Sequence, residues 1–94
     1  MVIGTCTVHL QLPASESLKG KRGVLKSLMA RIRNQYNVSI AEVGDNDLWQ
    51  SAVLGVAAVG NDPAYVQGLL SRVVQWIDEH RLDAVVADYE IELY

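Results

Sequence analysis

Two periodicities alternate along this chain, and their order leaves few folds open. Residues 2–12 alternate with period two: Val2, Cys6, Val8, Leu10 and Leu12 face one way, and Thr5, Thr7, His9 and Gln11 the other. That is a strand with one buried side. Pro13 ends it, and a Ser-rich turn follows. From Leu18 the period becomes helical, with Leu18, Leu25, Met29, Ile32 and Tyr36 on one face, Leu28 beside them, and Asn37 as a stop. Val38–Val43 reads as a short strand and Gly44–Asp47 as a tight polar turn. A second strand covers 49–59; its middle, Ala52 to Val59, is apolar on both faces, which marks a central strand.

Asn61-Asp62-Pro63 opens the next helix, Asp62 capping free amides and Pro63 taking the first helical position. Val66, Leu69, Leu70, Val73 and Ile77 form its buried stripe, and His80 and Arg81 suit the negative end of its dipole. Residues 82–93 alternate again: Val85, Ala87, Tyr89, Ile91 and Leu93 are expected inside, and Asp88, Glu90 and Glu92 outside. The order strand-helix-strand-strand-helix-strand predicts an α+β, ferredoxin-like βαββαβ sandwich: a four-stranded antiparallel sheet with both helices on one face.

The 94 residues are expected to form one domain, 1–94, around a single core. That core must be aliphatic, since Phe is absent. No apolar stretch is long enough for a bilayer, and no secretory signal is visible. The single cysteine, Cys6, has no internal disulfide partner and fits a reducing cytosol.

Charge is divided unevenly. Residues 1–37 hold six Lys/Arg and one acid, a net of +5, whereas residues 38–94 carry −8. The six cations, Lys19, Lys21, Arg22, Lys26, Arg31 and Arg33, all fall on the first helix. At 100° per residue, Lys19, Arg22, Lys26 and Arg33 lie within about 60° of one another, a stripe roughly 20 Å long. Lys21 points toward the apolar sector and must snorkel; Arg31 lies on the opposite shoulder.

Three stretches carry a family resemblance: Ser17-Leu18-Lys19-x-Lys21-Arg22, Asn37-Val38-Ser39-Ile40-Ala41-Glu42-Val43, and Asp47-Leu48-Trp49-Gln50. In this order they resemble the YlxP-like family, a bacterial family of unknown function, and the likeness extends over the whole chain. The resemblance implies a ferredoxin-like fold and a bacterial cytosolic protein. It also implies genes neighbouring those of translation and ribosome maturation factors. It brings no catalytic residues with it. Gly20 and Gly23 depart from the family pattern, which favours helix formers there. With Ser17 as N-cap, position 20 is where a capping-box acid would reach back.

Cations in the first turns oppose the helix dipole at about 0.3–1 kcal/mol each, and each glycine costs roughly 1 kcal/mol against alanine. An anion at the helix start would relieve the repulsion and use the free amides, and glycine would let a phosphate approach the backbone closely, so Ser17, Lys19, Lys21 and Arg22 form a candidate oxyanion or phosphate site. Lys26 and Arg33 extend it into a nucleic-acid contact. A solvated basic face is the bland counterpart.

Other features carry less. The outward positions of the first strand and the central strand lack the aromatics with which RNA-recognition motifs stack bases. His9 with Asp88, Glu90 and Glu92 has no short-range ligand spacing, so no metal site and no cofactor is expected. Those acids are as readily gatekeepers of an edge strand. Cys6 is expected buried and inert, Trp49 to cover the end of the core, and Trp76 and Tyr65 to be partly exposed. No nucleophile motif, Walker sequence or dinucleotide fingerprint is present, so no catalytic residues are expected. The leading expectation is a non-enzymatic cytoplasmic accessory protein that binds RNA or a ribonucleoprotein through its basic helix, in ribosome maturation. The alternative is a homodimeric ferredoxin-like module that binds a small anionic metabolite or a protein.

Overall fold

The alternation at the start of the chain becomes a strand in which Gly4, Cys6, Val8 and Leu10 are buried in turn. The computed structural model describes residues 1–80 and 83–94. Its elements are β1 (Val2–Gln11), α1 (Leu18–Gln35), β2 (Ser39–Gly44), β3 (Ser51–Gly60), α2 (Pro63–His80) and β4 (Val85–Leu93). The strands form one antiparallel sheet in the order β2-β3-β1-β4, so β3 is central as expected. This is the ferredoxin-like βαββαβ sandwich.

Both helices begin where their caps predict. Ser17 Oγ accepts the Gly20 N–H at 2.9 Å, and Asp62 Oδ1 accepts the Ala64 N–H at 3.2 Å. α1 packs on β2, and α2 on β1, β3 and β4. Leu25, Leu28 and Ile32 of α1 and Val66, Leu70, Val73 and Ile77 of α2 are essentially inaccessible to water. Each contributes roughly 1.5–3 kcal/mol by leaving it. Gly4 lets α2 come this close: a Cβ there would collide with Val66 Cγ1 and lie 2.8 Å from Leu70 Cδ1. Cys6 is buried as expected, and burial pushes its thiol up from 9.0 to about 11, which keeps it protonated and unreactive near neutrality.

Four expectations are corrected. β3 begins at Ser51, and Trp49 lies in the preceding loop with 55% of its surface exposed, so it does not cover the core. Trp76 is buried, its ring stacked on His80 with centroids 4.1 Å apart. Tyr65 is exposed as expected. In β4 the pairing passes from His9↔Asp88 to Leu10↔Val86, leaving Ala87 unpaired. This bulge reverses the alternation, so Val86 packs against the core and Val85 is exposed. Finally, the second apolar face of β3 is not covered: Val53 and Ala57 are half-buried and Val59 is exposed. The expected roles of Arg81 at the helix end and of residue 82 as a strand start lie outside the described residues. No described helix is long and apolar enough to cross a membrane.

Candidate nucleic-acid interface

The inward side of α1 is set by Leu25, Leu28 and Ile32. Lys19, Arg22, Lys26 and Arg33 fall on one flank of that direction and all four are exposed. Arg33 Nη2 donates to the Ile40 carbonyl at 2.8 Å. Since Ile40 belongs to β2, this bond places the flank over the sheet's edge strand. A carbonyl is neutral, so Arg33 is tethered but keeps its charge. Among the described residues, the one Lys/Arg–carboxylate contact within 4.0 Å is between Lys21 and Glu42. The stripe is therefore not neutralised by neighbouring acids.

Lys21 does not join it. Its side chain is fully buried, not snorkelled to the surface. The ammonium lies 2.9 Å from Glu42 Oε2, an ion pair outside hydrogen-bond geometry, and donates to the carbonyls of Asp45 at 2.8 Å and Ser51 at 3.2 Å. The Asn46 carbonyl is a longer contact at 3.4 Å. Lys21 thus bolts α1 to the β2–β3 hairpin. A lysine can be dehydrated only where such partners replace its water. The reason it is inside is its position: on the wheel it sits among the leucines of the buried face.

The anion niche expected at the helix start is also not assembled. Ser17 Oγ is occupied by the Gly20 amide. The Lys21 ammonium points away, and the hollow beside Ser17 and Gly20 is lined by Glu16 and Asp83. Two carboxylates there disfavour an anion at that spot. Lys19, Arg22, Lys26 and Arg33 remain together as an open cationic strip.

Residues 45–50, between β2 and β3, form a tethered loop in place of the expected tight turn and strand start. Asp45 has a positive φ of 56°, a conformation its short polar side chain tolerates. Its Oδ2 accepts from Ser51 Oγ at 2.7 Å, and its carbonyl also accepts the Leu48 N–H at 3.0 Å. Gln50 Nε2 donates to the carbonyls of Pro13 and Ser15, and the Gln50 carbonyl accepts the Leu12 N–H at 2.9 Å. The hairpin is therefore tied to both α1 and the β1–α1 loop. It presents Leu48 and Trp49, each about half exposed. No sequence signal reveals the tethers, and the sequence pattern puts Trp49 at the start of the central strand rather than in an exposed loop.

The other face of the sheet offers nothing comparable. Its register pairs Thr5 with Glu92, Thr7 with Glu90 and His9 with Asp88, an acidic row with no aromatic on the adjoining β1 and β3 positions. Among the described residues, no three His, Cys, Asp or Glu side chains converge on a metal-sized site.

Comparison with known proteins gives the family. The family described as "Protein of unknown function (DUF503)" matches residues 3–91. The chain belongs to the DUF503 family. One DUF503-like relative, the "Uncharacterized protein YlxP" of Bacillus subtilis (strain 168), is 45% identical over 62 residues, 66% of this chain and 67% of that protein. Among solved structures the chain is similar to two de novo designed proteins, both at 13% identity. One is Foldit4, with a TM-score of 0.52 over 99% of this chain and 94% of the other. The second is LFR1 1, described as having a ferredoxin fold, with a TM-score of 0.55 over 100% of this chain and 84% of the other. At that identity the likeness speaks for the DUF503 fold alone.

Proposed function

We propose that this protein binds the phosphate backbone of RNA, free or within a ribonucleoprotein, through Lys19, Arg22, Lys26 and Arg33. The observation that carries the reading is that these four exposed cations share one flank of α1 with no carboxylate among the described residues within 4.0 Å, in a chain of net charge −3. Selection for solubility alone would not require one sign on one helix flank and the other sign across the sheet. Contacts of this kind position a backbone without reading bases. The role is that of a cytoplasmic accessory protein rather than an enzyme. Ribosome maturation as its setting comes from the family resemblance and not from these residues.

The test is RNA affinity measured across salt concentrations. The combined variant Lys19→Gln, Arg22→Gln, Lys26→Gln is expected to flatten the dependence of log affinity on log salt by about 2, from roughly 0.7 per lost single-strand phosphate contact. An unchanged slope would remove the proposal.

A second reading is favoured by the open sheet face, where Ile3, Val43 and Val59 are exposed. An apolar face of this kind suits self-association, with an anionic metabolite or a protein as partner. Light scattering separates the two: a stable dimer with no affinity for RNA supports the second.

A further inference from the structure

We infer that the outer edge of β4 docks an extended basic segment of a partner protein, added to the sheet as a further strand. This surface is distinct from the cationic flank of α1, and the inference is independent of the RNA reading. The register decides which backbone groups are free. Ile3 and Tyr94 exchange both backbone bonds: the Ile3 N–H donates to the Tyr94 carbonyl at 3.0 Å, and the Tyr94 N–H to the Ile3 carbonyl at 2.7 Å. In an antiparallel ladder such pairs alternate with pairs that share no bond. Counting by twos along the register, Glu92 bonds to Thr5 and Glu90 to Thr7. Leu93, Ile91 and Tyr89 therefore turn their N–H and C=O groups away from β1, at the end of the sheet. Asp88 Oδ1 takes the Tyr89 N–H at 2.9 Å, while Ile91 and Leu93 keep both groups for an incoming strand. The opposite edge is blocked. Val56, the register partner of Ile40 in β2, bonds to β1 by the same alternation, so the Ile40 carbonyl also turns outward. There Arg33 occupies it at 2.8 Å.

The side chains along this edge select the occupant. Asp88, Glu90 and Glu92 are exposed on the open face of the sheet. Glu92 gives one oxygen to the Tyr94 hydroxyl at 2.7 Å and keeps the other. Tyr89 lies on the helix side, opposite Val8, and with Val74, Asp78 and Val86 lines a hollow of about 520 Å³ between α2 and β4. No Lys or Arg among the described residues lines it. An added strand places alternate residues on the two faces, and its main chain supplies the ladder bonds. One set meets the acids and is expected to be Lys or Arg; the other meets Tyr89 and the hollow and is expected to be apolar. A second copy of this chain does not fit. Two β4 strands paired antiparallel across a two-fold axis would bring both acidic rows together, and like charges opposite one another destabilise a ladder. Nor can the chain lend its own cations as a strand, since those of residues 19–33 are held in α1. The acids thus keep copies apart and admit a strand of opposite sign.

Amide hydrogen exchange in a ¹⁵N-labelled sample reads this edge residue by residue. In the free protein the Glu90 and Glu92 amides should exchange slowly, and those of Ile91 and Leu93 fast. A peptide alternating lysine with valine is expected to slow Ile91 and Leu93 about tenfold or more, whereas one alternating glutamate with valine is not. Glu90→Gln combined with Glu92→Gln should weaken the lysine peptide about fivefold. Leu93→Pro removes only an outward N–H, which an edge strand tolerates. It should abolish binding while the Glu90 amide stays protected, the sign that β4 remains paired with β1. Lys19→Gln, Arg22→Gln, Lys26→Gln should bind the peptide as the parent does. Ile91 and Leu93 amides that stay fast at saturating lysine peptide would overturn the inference, as would equal affinity for the glutamate peptide. Slowing that grows with protein concentration in the absence of peptide would put a second copy at this edge. Slowing caused by RNA would put a polyanion there. Either result contradicts a basic segment as the occupant.

Discussion

Removing the Lys21 ammonium should be the most damaging single change on α1. Lys21→Met preserves the aliphatic stem but removes the counter-charge of Glu42 Oε2 and the ammonium donor to the hairpin carbonyls of Asp45 and Ser51. The expected cost is about 2–4 kcal/mol, below the full figure for a buried pair because Glu42 retains 17% exposure. Glu42→Gln leaves the carbonyl partners in place and should cost about 1 kcal/mol. Urea unfolding of both variants checks this, and a Lys21→Met midpoint equal to the parent's would show that the cage contributes nothing. Residue 21 also shows where sequence reading stops. Its place on the apolar arc was legible, and with it the tension between charge and burial. Its resolution was not, because the partners lie 24 and 30 residues away in a hairpin whose path no local pattern encodes. Trp49 was misplaced for the same reason. An aromatic beside an apolar run reads as core, and only the tethers of Asp45 and Gln50 turn it outward.

At the level of the element, α1 is less stable than its length allows. Its first turn holds no acid, and a Cβ at Gly23 would meet nothing within 4 Å. Gly23→Ala should therefore stabilise the protein by about 1 kcal/mol, the propensity difference alone. Gly20→Ala should gain less, since its Cβ would lie 3.2 Å from Ser17 Oγ. Thermal melts of the two variants test the order, and destabilisation by Gly23→Ala would mean that the helix start is held by something other than propensity. Strand and helix identities were legible throughout because their periods differ. Parity within strands was legible only up to a bulge. Ala87 in β4 and Val43 in β2 are unpaired residues, and an alternating pattern carries no mark of the place where one is inserted.

For the whole molecule, the division of charge along the chain becomes a division between sides. The cations of residues 19–33 share one helix, so the strip they form lies on the helical layer beside β2. Asp88, Glu90 and Glu92 pair opposite His9, Thr7 and Thr5 and so lie on the open face of the sheet. This separation was readable as a net +5 against −8, since a single helix kept its cations together. What composition did not show was which cations stay outside; Lys21 left the set by being buried. The most direct measurement of the central claim is the pattern of amide shifts in a ¹⁵N-labelled sample as single-stranded RNA is added at low salt. Shifts concentrated on residues 19–33, with Thr5, Thr7, Glu90 and Glu92 unmoved, are the predicted result. Shifts confined to the open sheet face, or a spectrum unchanged at saturating RNA, would contradict it.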